Sequence, residues 1–407
     1  MMHARGKPTN ATPGTGTKTA ETLALYRRLQ SLCGTPHWLV GVTERYDAYT
    51  ARAVGTKNDG LTPVYAGPVP PTGRKPVAEF YALTGRYPTM CMWEYVDPTQ
   101  PAAADGVTGA EMHETMIADM IAFGAMGGII CVSDHWGSPA KTYGLACRMD
   151  DVAGTQYDAA AQSIPLILTG GAQRAQLTNH VTRFAAAIAR LVHPTTGAKL
   201  PVIFRPMHEP NSNSFWWASA QDASFKSNGN INATRQSDYK TLWQDLVALV
   251  NAAGGTNILW QWNVNCYQSG QGNGTKNSVN AYSGWYPGDS YVDLVSGDYY
   301  SDGDDTPSDR FSISGTEIQA SVSALLSIAA AAGKPVSLAE IGALQAFGSR
   351  ANLPERWGRE MESSPVLRSL YGAGLWRPPW GPEAGQPSNA SLARMAASPY
   401  CLTLDKL

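Results

Sequence analysis

The sequence lacks the marks of several large protein classes. No run of lysine or arginine stands out, and the formal net charge is −2. A nucleic-acid partner would call for a basic stripe, so none is expected. No window reaches the roughly 18 consecutive apolar residues of a membrane span, so no membrane association is expected either. The six cysteines, Cys33, Cys91, Cys131, Cys147, Cys266 and Cys401, form no CxxC pair and have no histidine at metal-ligand spacing. That argues against a structural zinc site and leaves their pairing open. No GxGxxG follows the first predicted strand, which weighs against a dinucleotide-binding sheet. Internal repeats are absent. The stretch Met1 to Lys18 is rich in Gly, Pro and Thr and has no apolar core, so it is not a secretory signal. Residues 1–20 read as a disordered leader or linker, and 21–407 as a single folded domain.

What is present suits a large globular core, with 43% hydrophobic and 16% charged residues. The aromatic residues are unusual in kind: 12 Trp and 18 Tyr stand against 8 Phe. Trp and Tyr join a flat apolar face to a polar edge, which suits ligands that are themselves apolar on one side and wet on the other. Sugar rings are of that type, although for any single Trp core packing is the commoner use.

From Glu21 onward, helical patterns alternate with short apolar runs. Helices are predicted over Thr22–Leu32, Glu111–Met126, Ala172–Val192, Asp238–Ala253 and Glu317–Ala332, the last ended by Gly333. Strands are predicted over His37–Val42, Thr89–Val96, Gly128–Ser133, Pro201–Phe204, Asn257–Trp262, Val292–Ser296, Val336–Ala339 and Ala373–Trp376. Eight continuous apolar runs mostly separated by helices fit parallel strands buried on both faces. A barrel and a doubly wound sheet share that signal. Long connections at 43–87, 136–172, 210–237 and 263–291 are where a barrel would carry its binding loops.

Polar and aromatic residues crowd at the predicted strand ends. Strand four runs out into Arg205-Pro206-Met207-His208-Glu209, strand five into Trp260-Gln261-Trp262-Asn263, and strand six is followed by Asp298 and Tyr300. Strand seven ends in Glu340 and strand eight in Trp376. In a barrel these ends meet on one rim, where active sites of that fold lie. Two glutamates at strand ends among apolar neighbours are costly unless paired or used. Structural ion pairing with arginine is the bland reading, and for Glu340 it stands level with a catalytic one. For Glu209, flanked by His208 and followed by a Trp pair, function is favoured. Cleaving a glycosidic bond needs two carboxylates, one protonated to help the leaving oxygen depart and one to attack or to activate water.

The segment Arg205–Trp217, RPMHEPNSNSFWW, resembles the acid/base signature of glycoside hydrolase family 26. Trp285–Tyr300 (WYPGDSYVDLVSGDYY) resembles the family's strand-six region, Lys334–Gly342 (KPVSLAEIG) its nucleophile strand, and Gly127–Pro139 (GGIICVSDHWGSP) more weakly its strand-three segment. The resemblance covers residues 127–376 in the family's order. It implies an α/β fold, a single (β/α)₈ (TIM) barrel with long βα loops, and a retaining double displacement without cofactor or metal. Glu209 would be the acid/base and Glu340 the nucleophile, with Arg205 in support. Tyr300 would hydrogen-bond Glu340, and His208 would orient Glu209 or touch the sugar. His135 would bind the sugar, over an apolar platform of Trp217 and Trp376, with Trp216, Trp262 and Trp285 as second choices. Against the pattern, Asn211-Ser212-Asn213-Ser214 replaces the usual glycine after the acid/base, and Gly137-Ser138-Pro139 ends the strand-three segment. The expected partner is a β-linked polysaccharide, β-1,4-mannan first, with mixed-linkage β-glucan, β-1,3-xylan or a bacterial exopolysaccharide as alternatives. A carbohydrate-binding barrel without catalysis is the reading from another class. The resemblance suggests a monomer, and the substrate class favours a secreted or periplasmic setting.

Overall fold

The computed structural model describes residues 13–14, 16–44, 52–56, 63–66, 76–100, 107–137, 139, 163–212, 215–218, 233–266, 282–301, 315–343, 352–375 and 385–407. Eight parallel strands form its centre: β1 (Trp38–Glu44), β2 (Met90–Glu94), β3 (Ile129–Asp134), β4 (Val202–Pro206), β5 (Ile258–Asn265), β6 (Leu294–Ser301), β7 (Val336–Ala343) and β8 (Gly372–Leu375). Each pairs with the next, and β8 pairs back to β1 from Leu39–Gly372 to Val42–Leu375, which closes the barrel.

The helices are α1 (Ala20–Leu32), α2 (Pro76–Thr84), α3 (Gly109–Ala125), α4 (Arg174–Ala189), α5 (Ala233–Ala252), α6 (Thr316–Ala330), α7 (Leu353–Ser363) and α8 (Asn389–Ala397). Local chemistry fixes their ends. Thr108 and Glu111 form a capping box that starts α3. Gly333, with φ 61°, terminates α6, and its N–H bonds Ala330 O. All eight predicted strands and all five predicted helices are found, with ends moved by a few residues. Beyond the predicted elements, the structure adds α2, α7, α8, the short helix Ser163–Ile167 and an antiparallel hairpin of Arg52–Thr56 with Pro63–Ala66. The rest of the long connections falls largely outside the described residues.

Side chains fill the barrel in layers. At its N-terminal end, Leu39, Met90, Ile129, Ile203, Leu259 and Leu294 form an apolar floor, closed from outside by Leu25, Tyr26 and Leu29 of α1. Above it, Gln261 Nε2 donates to Ser337 Oγ at 3.0 Å and to Tyr371 Oη at 3.1 Å. The C-terminal rim carries the charges. Lys18 is fastened beneath the barrel: its ammonium is buried against Asp293 Oδ2 at 2.9 Å and Ile258 O at 2.8 Å. Among the described residues no helix is long and apolar enough to cross a membrane.

Candidate active site

Two departures from regular backbone bring the two glutamates together. Just past β4 the chain leaves the sheet through Met207 (φ 43°) and Glu209 (φ 52°), the only non-glycine residues with positive φ among those described. Such a conformation costs about 1–3 kcal/mol for a residue with a Cβ, and it persists where surrounding structure enforces it. Here Glu209 N–H bonds Asn263 O at 3.2 Å, and Trp217 Nε1 donates to His208 O at 2.7 Å.

The second departure is in β7. Against β6, Gly297 pairs with Leu338 but Asp298 pairs with Glu340, so Ala339 is an extra residue, and β8 registers the same slip. Side chains alternate along a strand, so Ser337 facing inward would put Glu340 outward. The bulge reverses that parity and turns Glu340 into the barrel.

Glu209, Glu340 and Asp298 then meet, each buried, with one carboxylate oxygen of each within 4.8 Å of the others. Arg205, on the inward face of β4 and 1% exposed, runs beneath them. Its Nη1 donates to Asp298 Oδ2 at 2.8 Å and its Nη2 to Glu340 Oε1. The other Glu340 oxygen accepts the Tyr300 hydroxyl, and Asp298 Oδ1 accepts Asn263 Nδ2 at 2.8 Å. Both oxygens of Glu340 and of Asp298 therefore accept hydrogen bonds, the arrangement of ionised carboxylates. Among the described residues these three carboxylates are the one grouping that could ligate a metal ion. Arg205 already supplies a cation to two of them.

Three carboxylates against one guanidinium leave an excess of negative charge, and Glu209 has no contact with Arg205 among the hydrogen bonds and ion pairs seen. Burial first, and then the charge of Glu340, push its pKa up to about 7, against Asn265, Arg205 and Asp298, which pull it down. Burial raises Asp298 well above its ordinary value as well, Arg205 and Asn263 opposing it and the charges of Glu340 and Glu209 adding to it. Because both Asp298 oxygens are already taken up by donors, the proton of the cluster belongs on Glu209. Tyr300 is pushed well up, by burial and then by Glu340, and so stays a phenol donor.

The remaining predicted residues divide into three groups. His135 lies beside the cluster. Its Nδ1 is 2.5 Å from Glu94 Oε2, its backbone N–H donates to Glu94 Oε1, and its ring meets the edge of His208 at 4.5 Å. His208 packs on Phe215 at 4.6 Å, and Phe215 stacks flat on Trp217 at 4.7 Å and 7°. Trp216, Trp217, Trp262 and Trp285 are buried to 1% exposure or less, so their indoles pack within the protein behind the rim. Trp376 lies outside the described residues, as does Cys147, while the other five cysteines form no disulfide. Glu94, Asn265 and Asn211 were not singled out from sequence. Glu94 ends β2, so the strand-end rule that selected Glu340 applies to it equally. Asn211 grips Asn265 by two 2.8 Å bonds, Nδ2 to Asn265 O and Asn265 N–H to Oδ1, a pairing of residues distant in sequence.

Fold and site together define an α/β barrel protein with a pair of buried carboxylates at the C-terminal rim. The model of the Glycosyl hydrolase family 26 matches residues 71–369, and the chain belongs to that family. Mannan endo-1,4-beta-mannosidase of Thermothelomyces thermophilus is 25% identical over 336 residues, covering 80% of this chain and 54% of that protein. Endoglucanase H of Acetivibrio thermocellus is 30% identical over 194 residues, 47% of this chain and 19% of that protein. The chain thus spans about half or less of the length of these curated relatives. Among solved structures, a Cellulomonas fimi endo-beta-1,4-mannanase double mutant superposes with TM-score 0.72 at 20% identity, covering 98% of this chain and 79% of that one. The catalytic domain of a Bacillus sp. endo-beta-1,4-mannanase gives 0.72 at 18%, covering 99% and 96%. At these identities the structural likeness establishes the fold.

Proposed function

We propose that this chain is a retaining endo-β-mannanase that cleaves β-1,4-mannan by double displacement. The observation that carries the reading is the separation of the carboxylates. Inverting glycosidases keep their two carboxyl groups about 6.5–9.5 Å apart to admit a water, whereas retaining ones hold them at about 5–5.5 Å. The nearest oxygens of Glu209 and Glu340, within 4.8 Å of each other, fit the shorter spacing.

In the first step Glu340 attacks the anomeric carbon while Glu209 gives its proton to the departing glycosidic oxygen. The glycosyl–enzyme bond forms as the glycosidic bond breaks. In the second step Glu209, now a carboxylate, takes a proton from water, and that water displaces Glu340. Arg205 and Tyr300 bond the two oxygens of Glu340 and aim it, and Arg205 binds it to Asp298, so the nucleophile is positioned before substrate arrives. Burial keeps the proton on Glu209 near neutrality, as a general acid requires. His135 and His208 face the same rim and are the nearest candidates to bind the sugar beside the cluster. Trp217 and its neighbours back that surface. Residues 21–407 would serve as one catalytic domain with a polysaccharide as its only partner.

The mannan assignment draws on the relatives named as mannan endo-1,4-beta-mannosidases. A second reading, the same chemistry on a β-glucan, is favoured by the relative named Endoglucanase H. A reducing-sugar screen over mannan, glucomannan, mixed-linkage β-glucan and β-1,3-xylan separates them. Release from mannan or glucomannan is expected, and release from β-glucan alone would replace the first reading by the second.

A further inference from the structure

Behind the rim lies a cluster of paired charges, centred on buried His180, that the proposed chemistry does not use. His180, on α4 and buried, faces a carboxylate with each ring nitrogen: Nε2 is 2.6 Å from Asp134 Oδ2 and Nδ1 is 3.3 Å from Asp97 Oδ2. An imidazole bonded at both nitrogens to ionised carboxylates must carry both protons, and so a positive charge. Asp97 is itself gripped by Arg183, whose Nε lies 2.9 Å from each of its oxygens and whose Nη2 lies 2.7 Å from Oδ2. The indole of Trp136 stacks on the His180 ring at 4.7 Å and 11°, within the range of a cation–π contact, and Tyr95 meets its edge at 5.6 Å.

The groups tied to His180 bracket the site. Asp134 ends β3, and the next two residues are His135, beside His208, and Trp136. The carbonyl of Trp136 accepts Trp216 Nε1 at 2.7 Å, and the adjacent Trp217 holds the His208 carbonyl one residue before Glu209. We propose that His180, as an imidazolium clamped between Asp134 and Asp97 and stacked on Trp136, is a positioning residue that fixes the His135–Trp136 segment as part of the sugar-binding rim. This rests on the glycosidase reading. It adds that the rim is held by a buried charge distinct from the reacting carboxylates.

The stack gives a signal independent of activity, because a protonated imidazole quenches an indole lying on it. Intrinsic fluorescence of the wild type minus that of Trp136→Phe should rise with pH, with a midpoint near 9. Burial lowers the pKa of His180, but Asp134 and Asp97 outweigh it and lift it to about 9. A flat difference, or one with its midpoint at the ordinary histidine value of about 6.5, would overturn the clamp. The second arm is His180→Gln assayed on the substrate the screen identifies. KM should rise by on the order of tenfold with kcat changed much less, since sugar contacts are disturbed and the carboxylates are not. A folded His180→Gln protein with unchanged KM would overturn the positioning role. If that variant does not fold, Asp97→Asn keeps the ring and removes one carboxylate; it should lower the fluorescence midpoint and raise KM, and an unmoved midpoint would contradict the clamp. If the wild type hydrolyses none of the glycans, the glycosidase reading fails, and the fluorescence titration still decides the clamp.

Discussion

Glu209 and Glu340 present carboxylate oxygens within 4.8 Å of each other although they come from β4 and β7, and each gets there by an irregularity. Glu209 follows a left-handed turn and Glu340 follows a bulge at Ala339. Deleting Ala339 would let Glu340 follow Leu338 in regular alternation and still face inward opposite Asp298, so hydrolysis should survive the deletion. Circular dichroism should still show a folded barrel.

The two carboxylates differ in what their loss removes. Glu340→Gln deletes the nucleophile, and no glycosyl–enzyme should form. Glu209→Gln deletes proton transfer, worth about 10²–10⁴-fold. Activity of Glu209→Gln should recover on substrates whose leaving group needs no proton, such as a dinitrophenyl glycoside, and that of Glu340→Gln should not. Steady-state kinetics on both substrates check the pair.

Tyr300→Phe removes one hydrogen bond to the Glu340 carboxylate while Arg205 keeps the other. A bond to a charged group is worth about 1.5–3 kcal/mol, so kcat/KM should fall roughly ten- to a hundredfold. A variant indistinguishable from wild type would remove Tyr300 from the site.

The pH dependence follows from Glu209, whose pKa is raised to about 7. The acid must be protonated, so kcat/KM should fall as pH rises through about 7. Asn265 favours the charged form, so Asn265→Ala should move that limb to higher pH. Stability carries the same sign. Between the unfolded value near 4.3 and about 7 the folded state holds a proton that the unfolded chain has lost, so this group's contribution falls as pH rises. Glu209→Gln should therefore raise Tm at pH 8 more than at pH 5. A Tm gain equal at the two pH values would contradict the raised pKa.

Lys18 binds the segment before α1 to the underside of the barrel through buried Asp293. Removing one member of a buried pair costs about 3–5 kcal/mol because the other is left uncompensated. Asp293 keeps the Trp260 N–H, so Lys18→Met should lie at the lower end of that range in chemical denaturation. Activity should be unchanged at temperatures where the variant is folded.

Much of the barrel was legible in the sequence because parallel strands buried on both faces leave continuous apolar runs such as PVIF before Arg205 and NILWQW before Asn263. Helices α2, α7 and α8 were passed over: α2 lies inside a long connection, and α7 and α8 flank the last strand, where the alternation was not followed. Arg205, His208, Glu209 and Tyr300 could be picked out because they sit in contiguous motifs. Glu340 was legible as a strand end, but its inward direction was not, since strict alternation from Ser337 points it outward and only the bulge reverses it. Asp134, His180 and Asp97 meet from three separate segments, and the pairing of Asn211 with Asn265 spans the gap between β4 and β5; neither leaves a local pattern. Trp216, Trp217, Trp262 and Trp285, which the family resemblance offered as sugar contacts, are enclosed by neighbours such as Phe215, Tyr286 and Tyr239.

The central claim is that Glu340 attacks the sugar directly while Glu209 protonates the leaving group. Time-resolved proton NMR of the reducing ends released from mannan tests it most directly. The account predicts that the β-anomer appears first and mutarotates to the mixture. The α-anomer appearing first would mean single inversion by water and would contradict the double displacement.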